Sequence, residues 1–424
     1  MRIVIFSDMF PPQINGVATA TANFVNGLSQ QGHQVLVVAP SFGKSDDKPL
    51  KACGIEILRI PAVPAIIYPG LKIALPVLLL IFNKIKKFNP DVIHFQTQMT
   101  LGFIAIIMAK LFNKPLVGTI HAYLTSDWIG LKDYGLANRL LSSVALRYCR
   151  YFQNMTDLQL APSHKLIREL KQQGFYKPFA YMPNPITIHK SSPKTLRSVQ
   201  QYKHKYNLTG PVVLHIGRLS YEKRVDLVLR AFVIATKSSA KLDKSHLLII
   251  GEGPARKDLE NLASELGISN KVVFTGEYKN NDLVESGLIR VGDLFITASP
   301  MENQPMVVLE AMSWGLPIIG VKAAGMIELV QKNGYLVEAG DVVAMAKRIS
   351  EILTKDAIRL SMASWSLKYA REFAPEKVIL RQIASYKRVL KVKASTDITK
   401  RPGISEIRNV VSRLLRELKE VIND

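Results

Sequence analysis

At 424 residues, with 48% apolar and 21% charged side chains, the chain is too long for one ordinary core and too apolar for disorder, and it reads as two globular domains of about 150 to 200 residues each. The formal net charge of +22, from 56 basic and 34 acidic residues, suits nucleic acid, anionic lipid or phosphorylated small molecules. Residues 1–185 hold 19 basic against 9 acidic side chains, so the charge is not one tail, and two cysteines alone, Cys53 and Cys149, argue against a disulfide framework and fit a reducing cytoplasm.

In chain order, the opening MRIVIFSDMFPP has neither a long apolar run nor a small-residue cleavage site, and is predicted to be a first buried strand rather than a secretion signal. Apolar, β-rich runs recur at 2–7, 34–40, 91–96, 115–120 and 158–163, separated by helix-like stretches such as 17–32, whose closing Gly32 suits a helix C-cap. Continuous apolar strands alternating with helices predict a parallel sheet covered on both faces, and so a first α/β domain. The apolar segments 73–82 and 101–112 are too short for a bilayer, which takes about 20 residues, and Pro76 breaks the first. From 66 to 88 an apolar helical face runs into Lys84, Lys86 and Lys87, as in helices of the membrane interface, although a core helix with a basic end has the same pattern.

Pro, Ser, Asn and Lys gather in 182–200, the expected interdomain linker. The rhythm restarts at 211–217, 246–251, 271–276, 293–299 and 316–321, a second α/β domain, and beyond about residue 350 the pattern is helical. Pro402 and Gly403 set off a last helix, 404–422, whose apolar residues Ile404, Ile407, Val411, Leu414, Leu418 and Val421 suit packing on the protein's own surface ahead of a coiled coil. The expected domains are 1–187 and 188–375, followed by a helix, 376–392, returning to the first domain, and a tail, 393–424.

Open α/β sheets bind ligands beyond the carboxyl ends of their strands, where loops enter helix N-termini rich in N–H groups. Four loops there carry polar groups. In IGRLSYEKRVDLVLRAF (216–232), Arg218 and Lys223 follow a strand and could grip a diphosphate, although a solvated basic turn taken alone looks the same. In SPMENQPMVVLEAM (299–312), Glu302 falls on the loop and Glu310 in the helix after it; singly, each reads as a helix-dipole partner or a helix-surface acid. Joined with Arg218 and Lys223 they point to a polyol-plus-phosphate ligand, carboxylates accepting from sugar hydroxyls while cations and N–H groups take phosphate. Asn15 and Gly16 open the helix after the first strand, where glycine lets backbone approach a phosphate; no full G-x-G-x-x-G follows, which speaks against a dinucleotide dehydrogenase. His121 ends a strand at the same sheet edge as Gly16 and is a candidate active-site residue, against the commoner structural histidine.

These loops resemble those of the retaining glycosyltransferases of family 4, and the likeness runs from residue 1 to about 392. Its most specific part is the E-x7-E element, Glu302 to Glu310; the others are Gly217-Arg218-Leu219-Ser220-Tyr221-Glu222-Lys223, Asn15-Gly16 and His121. The chain departs from the family where Asn15-Gly16 replaces Gly-Gly, Gln304-Pro305 replaces Phe-Gly, and Pro183-Asn184-Pro185 stands where Asn-Gly is frequent; none of these removes a charged group from the site. The resemblance implies the GT-B architecture, two Rossmann-like domains facing a central cleft. It also implies transfer of a hexosyl group, with retention, from a UDP- or GDP-linked sugar to an acceptor hydroxyl. His121, Arg218, Lys223 and Glu302 would be catalytic. Gly16, Arg218, Lys223, Glu302, Met306, Val307 and Glu310 would bind the donor, with Glu302 on its sugar, Glu310 on its ribose and the two cations on its diphosphate. No cofactor beyond the donor is implied and, with no D-x-D motif, no metal.

Similar family sequences include diacylglycerol and phosphatidylinositol glycosyltransferases, so the resemblance favours a membrane-lipid acceptor, an anionic membrane surface as partner and a peripheral place on its cytoplasmic side. A soluble or polysaccharide acceptor, and a GT-B epimerase or hydrolase, are the enzymatic rivals. A nucleic-acid-binding protein would use the charge, but no nucleic-acid fold or aromatic-basic array accompanies it.

Overall fold

The computed structural model describes every residue except 44–52, 66–71, 122–134, 190–191, 279–282, 284–286, 324, 395–403 and 424. The chain divides into two compact units, the first Met1–Pro185 with Pro375–Asp424, the second Ile186–Ala374.

The first unit is a seven-stranded parallel sheet of β1 (Arg2–Phe6), β2 (Gln34–Pro40), β3 (Ile55–Ile60), β6 (Val92–Phe95), β7 (Leu116–Thr119), β8 (Leu158–Ala161) and β9 (Phe179–Tyr181), in the order β3-β2-β1-β6-β7-β8-β9. The central strands are apolar at almost every position because helices cover both faces. On one face α1 (Gly16–Gln30) and α13 (Pro375–Ala394) pack Phe24, Val25 and Leu28 against Val378, Ile379 and Tyr386. On the other, α2 (Leu78–Phe88) and α3 (Thr100–Leu111) bury Ile81, Phe82, Ile85 and Ile104. Of the segment 66–88, residues 66–71 lie outside the described residues. Lys72–Ala74 forms β5, antiparallel to β4 (Ala62–Pro64), and helix begins only after Pro76.

The last helix, α14 (Ile404–Asn423), lies on α3 and on α4 (Gly135–Asn154), burying Leu414 completely with Ile407, Val410 and Val411 beside it. The Tyr151 hydroxyl reaches the Leu414 carbonyl at 3.2 Å and the Glu417 carboxylate at 3.0 Å. The stretch of its apolar stripe from Ile407 to Leu414 is therefore used on the protein's own surface.

The second unit is a six-stranded parallel sheet of β10 (Val212–Ile216), β11 (His246–Ile250), β12 (Val272–Phe274), β13 (Leu294–Ile296), β14 (Ile318–Val321) and β15 (Gly334–Val337), in the order β12-β11-β10-β13-β14-β15. This is the order of a nucleotide-binding Rossmann fold, with its reversal between β10 and β13. Helix α7 (Val225–Lys237) fills one face with Val228, Leu229 and Phe232, packed against Met345, Ile349 and Ile352 of α11 (Val342–Thr354). The linker expected over 182–200 is corrected from Pro193 onward, where α6 (Pro193–Lys205) begins. The Ser192 hydroxyl accepts from the Thr195 N–H at 3.1 Å and Pro193 occupies the first turn, so residues that read as linker composition are a helix-start signal. Among the described residues no helix is long and apolar enough to cross a membrane, and Cys53 and Cys149 are not joined in a disulfide.

Candidate active site

In the second unit the strands on either side of the reversal, β10 and β13, deliver the two sequence-predicted loops. After β10 the backbone runs through Gly217 and Arg218. It is fixed there by the Gly217 N–H on the Ile250 carbonyl at 3.0 Å and the Leu219 N–H on the Glu252 carbonyl at 2.9 Å. The crossing is so close that a Cβ at Gly251 would overlap the Gly217 carbonyl oxygen. A short 3-10 turn, Tyr221–Lys223, follows and sends the Lys223 ammonium to the Glu302 carboxylate at 2.5 Å, with 29% and 15% of the two side chains exposed. Seventy-nine positions apart in sequence, the cation and the acid form one ion pair.

The Glu302 loop follows β13 and is held by the Gly325 N–H on the Glu302 carbonyl at 2.9 Å. A Cβ at Gly325 would overlap the Asn303 carbonyl oxygen, so close approach requires glycine there. Pro305 then opens α9 (Met306–Ser313), its fixed φ serving as N-cap in place of a polar side chain. Met306 and Val307 supply the first helical N–H groups, which have no partner within the helix itself. Glu310, one turn in, is 6% exposed. That corrects the alternative of a helix-surface acid: a carboxylate that buried is placed for an interaction.

Sequence reasoning missed His215. It stands on β10, 1% exposed, with Nδ1 2.9 Å from the Ile296 carbonyl, so Nδ1 carries the proton. Among the described residues Nε2 has no hydrogen-bond partner. Burial pushes this imidazole down to about 4, so it is neutral, and it senses both the Lys223 cation and the Glu302 anion. The signal was present: a polar residue inside PVVLHIG, two positions before the Gly-Arg pair.

In the first unit the strand order reverses between β1 and β6. Beyond β1, the Asn15 side chain caps α1 by accepting from the Ala18 N–H at 2.8 Å, and Gly16 is the exposed first helical residue. His121 follows β7, partly buried, its Nε2 2.8 Å from Gln96 Oε1 at the end of β6. Burial lowers His121 to about 4. Asp8, at the end of β1, is 1% exposed and accepts from Thr97 Oγ1 at 2.7 Å and from the Leu101 N–H at 3.2 Å at the start of α3. Burial raises it to about 6, outweighing the hydrogen bonds that lower it. Among the described residues no group of three or more His, Cys, Asp or Glu is placed to hold a metal ion.

Comparison with known proteins gives the family and the fold. Residues 197–369 match the family model described as Glycosyl transferases group 1, and residues 14–190 that described as Glycosyltransferase Family 4, together well over half of the chain. Alpha-monoglucosyldiacylglycerol synthase of Streptococcus pneumoniae is 29% identical over 325 residues, 75% of this chain and 70% of that protein. A GDP-mannose-dependent alpha-mannosyltransferase of Corynebacterium glutamicum is 27% identical over 372 residues, 86% of this chain and 84% of that protein. HepE of Anabaena, solved in complex with UDP, shares the fold with a TM-score of 0.71 at 20% identity, over 92% of this chain and 100% of that one.

Proposed function

Because the chain belongs to family 4 of the glycosyltransferases, with the GT-B fold, we propose that it moves a hexosyl group, with retention, from a UDP- or GDP-linked sugar to a hydroxyl of a membrane lipid such as diacylglycerol. The observation that carries this reading is the meeting of Lys223 and Glu302 beside the Arg218 loop, at the strand-order reversal of the second unit. Such a reversal is where open α/β sheets take nucleotides.

In this reading the ammonium of Lys223 and the guanidinium of Arg218, with the N–H groups of Met306 and Val307, take the diphosphate, while Glu302 accepts from sugar hydroxyls and Glu310 from the ribose. The Lys223–Glu302 pair keeps both groups compensated before the donor arrives; the donor supplies an anion to one and hydroxyls to the other. As the glycosidic bond breaks, charge develops on the diphosphate, and preorganised cations stabilise it without a metal. The acceptor attacks on the face the diphosphate leaves. Gly16 and His121 are assigned the donor's phosphate and sugar.

A lipid acceptor is supported by the activity for which the S. pneumoniae relative is named and by the surface of the first unit. Val63, Ile73, Leu75, Leu79 and Leu80 are each at least 39% exposed, on β4, on β5 and just after it, and at the start of α2. Lys86 and Lys87 close that helix. Apolar side chains next to lysines suit shallow insertion at an anionic bilayer, with a peripheral place on the cytoplasmic face.

The test is a mass-spectrometric screen of UDP- and GDP-sugars against a lipid extract. The reading predicts one glycolipid appearing with one donor. Turnover confined to water-soluble acceptors would refute the lipid assignment.

A further inference from the structure

A continuous line of buried polar side chains runs beneath His121. It starts on α13, where the Gln382 amide nitrogen donates to the Tyr386 hydroxyl at 2.8 Å. That hydroxyl lies 2.7 Å from His94 Nδ1, joining residues 292 positions apart. His94 Nε2 is 2.7 Å from Thr119 Oγ1 and 3.4 Å from the Gln96 amide nitrogen. Gln96 turns its carbonyl oxygen to His121 Nε2 at 2.8 Å. Gln382, Tyr386, His94, Gln96 and Thr119 are all at most 3% exposed.

Buried polar atoms survive when they are bonded, and a side chain bonded at both ends, as Gln96 is between His94 and His121, is held in one orientation. Here the bonding fixes more than orientation. A side-chain amide oxygen only accepts, so the His121 nitrogen facing it must carry the proton. His121 is neutral, being pushed down to about 4, so its other ring nitrogen, Nδ1, is the acceptor. With the Gln96 amide turned the other way, an N–H would face His121 Nε2 and the opposite tautomer would be selected. The His94 contact on the amide nitrogen opposes that turn.

We infer that Gln96 is a positioning residue for His121, holding its imidazole in the Nε2–H form and in one orientation at the proposed sugar site, and that His94 and Tyr386 hold Gln96. The inference rests on the proposed role of His121 toward the donor sugar. It also gives α13, which lies beyond both matched family regions, a part in the site: its Tyr386 is the far anchor of the line.

The experiment is nitrogen-15 NMR of the imidazoles in the full-length protein labelled at histidine, with His121 assigned by its loss in His121→Ala. The wild type should show the Nε2–H tautomer at His121. Gln96→Met, which keeps the volume and removes the acceptor, should mix the tautomers and lower kcat/KM about 10- to 100-fold, the scale of a misplaced binding group. Gln96→Glu should instead favour the imidazolium, which has no acceptor nitrogen, so that kcat/KM falls about 10-fold between pH 8 and pH 6 where the wild type stays flat. Tyr386→Phe should reproduce the Gln96→Met spectra in part. An unchanged His121 tautomer in Gln96→Met, at any activity, overturns the assignment. Full activity in His121→Ala overturns the underlying reading of His121 while leaving the spectra to judge Gln96, so the two failures are told apart.

Discussion

Lowering the pH from 7 to 4 should destabilise the first unit, and the three buried ionisable groups around β1, β6 and β7 set the size of the effect. His94 is held down to about 3 and His121 to about 4 against an ordinary 6.5, while Asp8 is held up to about 6 against 3.8. A histidine neutral in the fold and charged in the unfolded chain makes unfolding take up protons, so stability is lost as pH falls through 6.5 toward 3 to 4. Asp8 acts oppositely: between pH 6 and 3.8 the folded state holds the proton, so its contribution improves as pH falls.

Between pH 6 and 5 the two histidines give about 1.7 protons taken up on unfolding, Asp8 gives back about 0.7, and the net of about one proton costs about 1.4 kcal/mol. From pH 7 to 4 the loss comes to about 3 to 4 kcal/mol, a large share of a typical domain's stability. Asp8→Asn keeps an oxygen for the Leu101 N–H and removes the offset, so its loss between pH 6 and 5 should steepen to about 2 kcal/mol. Native-state hydrogen exchange of β1, β6 and β7 amides separates this unit from the second. A flat or rising pH dependence, or an Asp8→Asn slope no steeper than wild type, would show that these groups do not titrate as buried.

At the donor site, replacing Arg218 or Lys223 by Ala should cut turnover about 100- to 1,000-fold, the scale of a lost transition-state donor; steady-state kinetics of the folded variants check it, and unchanged rates exclude the diphosphate role. Glu310→Gln should weaken calorimetric binding of both the free nucleoside diphosphate and the sugar nucleotide, whereas Glu302→Gln should spare the nucleoside diphosphate; equal losses in both variants contradict the division of labour. Sedimentation with vesicles should rise with anionic lipid, fall with salt and weaken when Lys84, Lys86 and Lys87 become Gln, at about 1 kcal/mol per lysine near the surface. Lys84 should contribute least, since it pairs with Glu56. Binding indifferent to all three changes would place the contact elsewhere.

Sequence made the inner strands legible because burial on both faces leaves almost unbroken apolar runs, as in β10 and β11. The edge strands of the first sheet were hidden for the converse reason: β3 carries a charged residue on each face, Glu56 on one and Arg59 on the other, and β9 is three residues long. In α6 a helix start looked like linker because Ser and Pro serve both. Motif spacing singled out the residue types of the proposed donor site, but not that Lys223 and Glu302 touch. The Gln96–His94–Tyr386 line has no local pattern at all, since hydrogen bonds between distant positions leave no periodicity. A polar residue ending a buried strand, as in VIHF before Gln96, is the only trace it leaves.

The most direct measurement follows released nucleoside diphosphate and glycolipid together during turnover on lipid vesicles, with the anomeric configuration of the first product read by NMR. Sugar transfer to lipid with retention predicts release that depends on the lipid, equals the glycolipid formed mole for mole, and keeps the donor's anomeric configuration. Free sugar released without lipid, an epimerised sugar nucleotide, or an inverted glycolipid would contradict it.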